Sequence, residues 1–252
     1  MQFDLAAGFP IVTTKRVAFK SIVAELLGFI RGYDNAADFR RLGCNIWDAN
    51  ANENKQWLSN PHRRGPDDLG RIYGIQWRSW RTLTKGEEYD QLSHAIRTIK
   101  EDPTSRRIIV SAWRPDELGQ MALPPCHLLY QFIVEQSSRR LHMTMYQRSC
   151  DMFLGVPFNI SSYALLLSLV ACVTGYSPGT LTMFLADVHI YENHRGPVAE
   201  QLIRSPRPLP SLRVSIETDI QYLMIWLETV DPSAITLVGY DPHPPIKAQM
   251  AV

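Results

Sequence analysis

The sequence predicts an α+β fold in a single domain, on three observations. Apolar residues recur at helical spacing in some stretches, while others are short β-branched or alternating runs suited to strands. No Pro/Gly/Ser-rich linker with a core on either side divides the 252 residues, a length one large domain accommodates. The first ten residues run extended into Gly8-Phe9-Pro10, followed by the β-branched stretch Ile11-Val12-Thr13-Thr14. Phe19, Ile22, Val23, Leu26, Leu27 and Ile30 then repeat with helical period and Gly32 follows as a stop, predicting a helix over about 17–31. Glu25 falls inside that apolar stretch. Its ordinary fate would be a solvated helix surface.

Residues 50–70 are polar and turn-rich and read as a surface loop. Leu92, Ile96 and Ile99 predict a helix over about 88–100, ended by Asp102-Pro103, since a residue before proline disfavours helical backbone. Ile108 to Trp113 reads as a buried strand. Leu128–Val134 and Leu141–Gln147 read as two more, joined at Ser137-Ser138-Arg139-Arg140. Asn159 to Thr174 is apolar nearly all round and predicts a buried helix ended by Gly175. Strands over about 180–186 and 211–217, with a helix between them, complete the pattern.

Composition narrows the function classes. Hydrophobic residues make up 45% and charged residues 20%, which excludes a disordered chain. Twenty-six basic against 25 acidic residues give a formal charge of +1, which excludes a strongly basic nucleic-acid coat. The apolar run Tyr163–Val173 falls short of the ~20 residues of a membrane helix, and no secretory signal opens the chain. Cys44, Cys126, Cys150 and Cys172 lack metal-ligand spacing and read as reduced thiols of a cytoplasmic protein, with no metal expected.

Four clusters carry chemistry. In Leu123-Pro124-Pro125-Cys126-His127, two prolines set the backbone around a thiol, which becomes a nucleophile only as a thiolate. Taken alone, such a cysteine is more often interior packing. Some twenty residues on, Tyr146-Gln147-Arg148-Ser149-Cys150-Asp151 and Asn159 supply a guanidinium, a hydroxyl, a carboxylate and a carboxamide. A tight turn between two strands would return Arg148 towards Cys126, where it could grip a phosphate and favour the thiolate. Alternation places Asp187, His189 and Tyr191 on one face of an extended segment. Ser105-Arg106-Arg107 heads a strand as a phosphate clamp or, more blandly, a solvated strand end.

Many of these segments occur together in one order: Gly8–Arg16, Ile46–Asp48, Asp68–Trp77, Ser105–Trp113, Ala122–His127, Tyr146–Asp151, Leu154–Tyr163, Asp187–Tyr191 and Gly239–Lys247. In this the chain resembles the folate-dependent thymidylate synthase family, and the related pyrimidine nucleotide hydroxymethylases, over residues 1–252. The resemblance implies a central mixed β-sheet covered by helices, with a sheet face used for dimerisation. It implies that Cys126 adds to carbon 6 of a pyrimidine nucleoside monophosphate, so that carbon 5 accepts a one-carbon unit and a hydride from 5,10-methylenetetrahydrofolate. Glu25 would organise water for proton transfer, with Tyr73, His127 and Asp151 also in the catalytic set. Arg148, Ser149 and Gln147 would bind the nucleotide, and Arg106 and Arg107 would reach the phosphate from the second subunit of a homodimer. Asn159 would read the base, unless it only caps the following helix, and His189 and Tyr191 would hold the sugar hydroxyl. Ile46, Trp47, Asp151, Leu154, Gly155, Phe158 and Ala251 would form the folate site. Neither DNA nor membrane is an expected partner.

The chain departs from the family at three points. The family's N-terminal phosphate loop is not among these 252 residues, so either the start is truncated or mis-assigned or the nucleotide is bound differently, with Arg63, Arg64 and Arg71 as candidates to replace the loop's arginine. Arg71 stands where the family usually has proline, and Ala186 where it usually has glycine. Two alternatives therefore stand beside methylation. One is a hydroxymethylase acting on dUMP, dCMP or CMP, in which water replaces the hydride, although Asn159 in place of an aspartate favours uracil. The other is a weakly catalytic nucleotide- or RNA-binding homologue.

Overall fold

The computed structural model describes residues 1–216 and 223–249. The first half of the chain is mostly helical. It comprises β1 (Gln2–Asp4), α1 (Phe19–Ile30), α2 (Ala36–Arg41), α3 (Asp48–Asn52), α4 (Lys55–Leu58), α5 (Tyr73–Arg78), β2 (Trp80–Arg81), β3 (Glu88–Tyr89), α6 (Gln91–Glu101) and β4 (Ile109–Ser111). The second half carries β5 (His127–Glu135), β6 (Arg140–Asp151), α7 (Gly155–Thr174), β7 (Ser177–His189), α8 (Arg195–Leu202), β8 (Ser211–Val214), α9 (Leu223–Thr229) and β9 (Ile235–Val238).

Five strands form one sheet in the order β1-β7-β6-β5-β4. The pairs β1–β7, β4–β5 and β5–β6 are antiparallel, and β6–β7 is parallel, so the sheet is mixed as expected. A parallel neighbour needs a crossover, and α7 supplies it. Alternation then sorts the two faces. Tyr130, Phe132, Leu141, Met143, Met145, Leu181 and Met183 are buried towards the helices, while Ile109, Leu129, Ile133, Tyr146, Phe184 and Val188 are exposed. The register sets Leu129, Tyr146 and Phe184 side by side across three strands.

Helix α7 starts four residues before the predicted Asn159. The Asp151 carboxylate explains the early start: it accepts from the backbone N–H groups of Phe153 at 3.0 Å and of Leu154 and Gly155 at 3.3 Å. The last two are among the donors that a helix start leaves unpaired, and the Phe153 bond fixes the turn that leads into it. Asn159 therefore lies within the helix and is not its cap. At 20 residues α7 is also long and apolar enough to cross a membrane, contrary to the expectation from the apolar run alone; 78% of its most apolar window is buried, however, which makes it the core helix. Its buried Ser161 hydroxyl donates to the Pro10 carbonyl at 3.0 Å.

Helix α1 packs along α2, and Gly28 is needed there because a Cβ would overlap the Phe39 ring. The predicted strands lengthen in the structure because pairing continues past the apolar runs: β6 reaches Asp151 and β7 reaches His189. Ile11–Thr14 pairs with no strand. Thr13 is instead tied to Arg207 and His243 by backbone and hydroxyl bonds. The predicted loop over 50–70 contains α4 and most of α3; Asn54 caps α4 by accepting from Gln56 and Trp57 N–H, and Trp57 is buried.

Candidate active site

The site forms where β5 begins, β6 ends and β7 runs alongside. The N–H of Arg148 donates to the Cys126 carbonyl at 2.8 Å, which draws the two segments together although 22 residues separate them. Arg148 Nε donates to the Pro125 carbonyl at 2.8 Å and Nη2 to that of Pro124 at 3.1 Å. Nη2 also lies 4.0 Å from Cys126 Sγ. The predicted return of Arg148 to the thiol is what the structure shows. Burial pushes the Cys126 thiol above its ordinary pKa, while the Arg148 charge and the Tyr73 hydroxyl pull it down. Burial is the larger influence, so the thiol stands above its ordinary range with no substrate bound.

Beneath the thiol lies a stack of aromatic rings. The Cys126 N–H donates to the Tyr73 hydroxyl at 2.7 Å. The Tyr73 ring stacks on His127 with centroids 4.1 Å apart, and His127 Nδ1 shares a 2.6 Å hydrogen bond with the Tyr163 hydroxyl. Burial drives the His127 pKa down to about 3, so its imidazole is neutral at physiological pH. A neutral ring cannot supply the positive charge a thiolate needs. Of the two candidates flanking the thiol, the charge belongs to Arg148.

Glu25 is buried on α1 rather than solvated, with 7% of its surface exposed. One carboxylate oxygen accepts from the Trp47 indole N–H at 3.0 Å. Desolvation raises its pKa to about 7, against the opposing pull of the Trp47 bond. Such a carboxyl gains and loses a proton near neutrality. Trp47, buried among Phe29, Phe39 and Tyr73, thus both packs and orients Glu25.

Parallel pairing of β6 with β7 sets Ser149 opposite Asp187 and Asp151 opposite His189. His189 and Tyr191 meet edge to face at 5.0 Å, beside the Arg148–Asp151 run. Asn159 faces the same end of β6, where its Oδ1 accepts from Gln147 Nε2 at 3.0 Å. Leu154, Gly155 and Phe158 are half-buried at the start of α7, Ile46 is half-buried just ahead of α3, and Ala251 lies outside the described residues. Arg106 and Arg107 are exposed at the head of edge strand β4 and make no ion pair among the described residues.

The three arginines considered as phosphate substitutes are engaged by the fold. Arg64 bridges Asp34 and Asp68, Arg71 binds Glu117 at 2.5 Å and the Ser79 carbonyl at 2.6 Å, and Arg63 donates to Ala51. Arg64 and Arg71 line a cavity of about 200 Å³ that includes neither Cys126 nor Arg148. Geometry gives that replacement no support.

Two groups escaped the sequence reading. Lys15 is buried, its amine donating to the Phe153 carbonyl and lying 3.3 Å over the Phe153 ring, with its pKa lowered to about 8 by burial. His194 is fully buried, with Nδ1 3.7 Å from the Asp151 carboxylate and Nε2 2.8 Å from the Gln249 carbonyl. The place of Lys15 in the Gly8–Arg16 segment was the available signal for it; His194 had none beyond its closeness to Tyr191.

A half-buried thiol beside a guanidinium, in one fold with a buried carboxyl of near-neutral pKa and a carboxamide at the end of β6, fits a class: enzymes that use a cysteine nucleophile on a phosphorylated small molecule. The family model for thymidylate synthase matches residues 1–252, and the chain belongs to that family. It is similar to the thymidylate synthases of Pseudomonas syringae pv. tomato and Pseudomonas putida, at 44% identity, and of Bordetella parapertussis, at 43%. Each alignment covers 100% of this chain and 90% of the relative. The family comprises methyltransferases of nucleotide biosynthesis that reductively methylate dUMP to dTMP and use methylenetetrahydrofolate as co-substrate.

Proposed function

We propose that this protein methylates dUMP through a covalent bond from Cys126, and the 4.0 Å approach of Arg148 to its sulfur carries the reading. The thiolate adds to carbon 6, and the electron pair of the C5–C6 bond moves towards the 4-oxo group, making carbon 5 nucleophilic. Arg148 holds the phosphate, with Ser149 beside it and Arg106 and Arg107 contributed by the second subunit of a homodimer. Asn159 Nδ2 donates to the 4-oxo group while Oδ1 accepts from the ring N–H, in an orientation Gln147 enforces. His189 and Tyr191 hold the sugar hydroxyl.

Glu25 and Tyr73 manage the proton that must leave carbon 5, the first by a pKa near neutrality and the second by its place beneath Cys126. His127 keeps Tyr73 and Tyr163 in place. Bound methylenetetrahydrofolate supplies the one-carbon unit and the hydride. The donor set suits it: Ile46, Leu154 and Phe158 offer apolar surface, Trp47 backs the site, Gly155 admits close approach, and Asp151 retains lone pairs beyond those given to α7. Ala251 joins this set on the family resemblance alone.

The homodimer reading draws on the exposed row Leu129, Tyr146 and Phe184, apolar surface that a second copy would cover. A protein of this chemistry belongs in the cytoplasm, where thiols stay reduced. Hydroxymethylation and simple nucleotide binding are not favoured: a binder needs neither the thiol nor a buried carboxyl. The test is incubation with dUMP and methylenetetrahydrofolate. Dihydrofolate should form in step with dTMP; hydroxymethylated product without dihydrofolate would overturn the reading.

A further inference from the structure

Arg148 is held in its own plane by two carbonyls. Nε reaches Pro125 at 2.8 Å and Nη2 reaches Pro124 at 3.1 Å, which fixes rotation within the plane of the guanidinium. Neither bond prevents the group from tilting out of that plane. The guanidinium carbon stands over the indole ring of Trp113, 5.6 Å from its centroid. A cation over an aromatic face is attracted by the ring quadrupole, most strongly for tryptophan.

Trp113 is itself anchored. The Ala112 N–H donates to the Leu128 carbonyl at 2.7 Å, continuing the β4–β5 ladder by one residue. The Ser111 hydroxyl accepts from the Trp113 N–H and donates to its carbonyl, both at 3.3 Å. Gln91 of α6 brackets Ser111, accepting from its N–H at 3.0 Å and donating to its carbonyl at 2.8 Å. The indole thus projects from a fixed strand end, 13 residues ahead of the nucleophile.

We propose that Trp113 is a positioning residue for the reaction: its indole face holds the Arg148 guanidinium flat against the Pro124 and Pro125 carbonyls and so keeps it beside the Cys126 sulfur. The proposal rests on the reading of Cys126 as the nucleophile. Loss of the ring would leave Arg148 free to tilt away, weakening both the thiolate and the grip on phosphate.

The experiment is the pH dependence of iodoacetamide alkylation at Cys126, read by peptide mass spectrometry in the ligand-free wild type, Trp113→Leu and Trp113→Phe. Trp113→Leu should move the profile to higher pH and slow alkylation at pH 7 by roughly 3- to 10-fold, with Trp113→Phe in between. The KM for dUMP should rise more than kcat falls. A Trp113→Leu profile that overlays the wild type overturns the proposal. Should that variant fail to fold, an unshifted Trp113→Phe profile does so. Failure of the functional reading looks different: wild type would form no dihydrofolate at all, whatever the alkylation profiles show.

Discussion

Gln147 Nε2 donates to Asn159 Oδ1 at 3.0 Å, and the same nitrogen donates to the Ser149 carbonyl at 3.0 Å. A carbonyl only accepts, so Ser149 decides which end of the Gln147 amide faces it, and Gln147 in turn decides which end of Asn159 is turned away. Asn159 Nδ2 is left to donate to a 4-oxo group. Gln147→Glu puts an acceptor where the donor was and should rotate the Asn159 amide. Steady-state kinetics should then show kcat/KM for dUMP lowered about 10- to 100-fold, the scale of one misdirected polar contact. Unaltered kinetics would mean that Gln147 does not orient the base reader.

Replacement of Cys126 by serine should lower turnover roughly 1,000-fold or more, because the alkoxide-forming hydroxyl has no comparable means of ionising. With a 5-fluorinated dUMP and methylenetetrahydrofolate, wild type should gain a stable covalent adduct on the peptide carrying Cys126. Mass spectrometry of the serine variant should find none.

Glu25 couples stability to pH. Its folded pKa of about 7 stands above the ordinary 4.5, so between these values the folded chain binds more protons than the unfolded one. Stability from this group is therefore present at low pH and lost as pH rises through 7, by roughly 3 kcal/mol in all. Glu25→Gln should flatten that slope in urea denaturation followed from pH 5 to pH 8. The same variant should lose about 10²- to 10⁴-fold in turnover.

Asp151 has a structural duty separable from any contact with folate. Asp151→Ala should lower stability by about 1 kcal/mol through loss of the α7 cap, while Asp151→Asn keeps an acceptor and most of that stability. If the second carboxylate oxygen also meets the folate, both variants should raise its KM. A stability loss shared equally by the two would show that capping is not what the carboxylate provides.

The sheet face should decide the oligomeric state. Phe184→Glu places a charge amid Leu129 and Tyr146, and sedimentation should report monomers where wild type gives dimers. Because Arg106 and Arg107 would act across that interface, the monomer should also lose affinity for dUMP. A monomeric wild type would remove both expectations.

Periodicity and local chemistry were enough to mark α1, α6, the greater part of α7 and the strands β4 to β7, because their apolar residues repeat at the spacing of the element they form. The order of motifs such as Pro125-Cys126-His127 and Gln147-Arg148-Ser149 was likewise enough to point to a cysteine nucleophile with an arginine near it. Sequence spacing could not show that α7 starts at Gly155, since the Asp151 cap acts through side-chain geometry.

Protonation was equally beyond the sequence. Glu25 and His127 have ordinary chemistry as amino acids, and only burial by α1, Trp47 and the Tyr73–Tyr163 pair makes one a neutral-range acid and the other an uncharged ring. Arg64 and Arg71 looked free until the fold set Asp34, Asp68 and Glu117 against them. The linear chain determines which groups exist and which segments favour helix or strand. Desolvation, and the meeting of groups remote in sequence, belong to the folded chain alone, because both depend on which surfaces exclude water together.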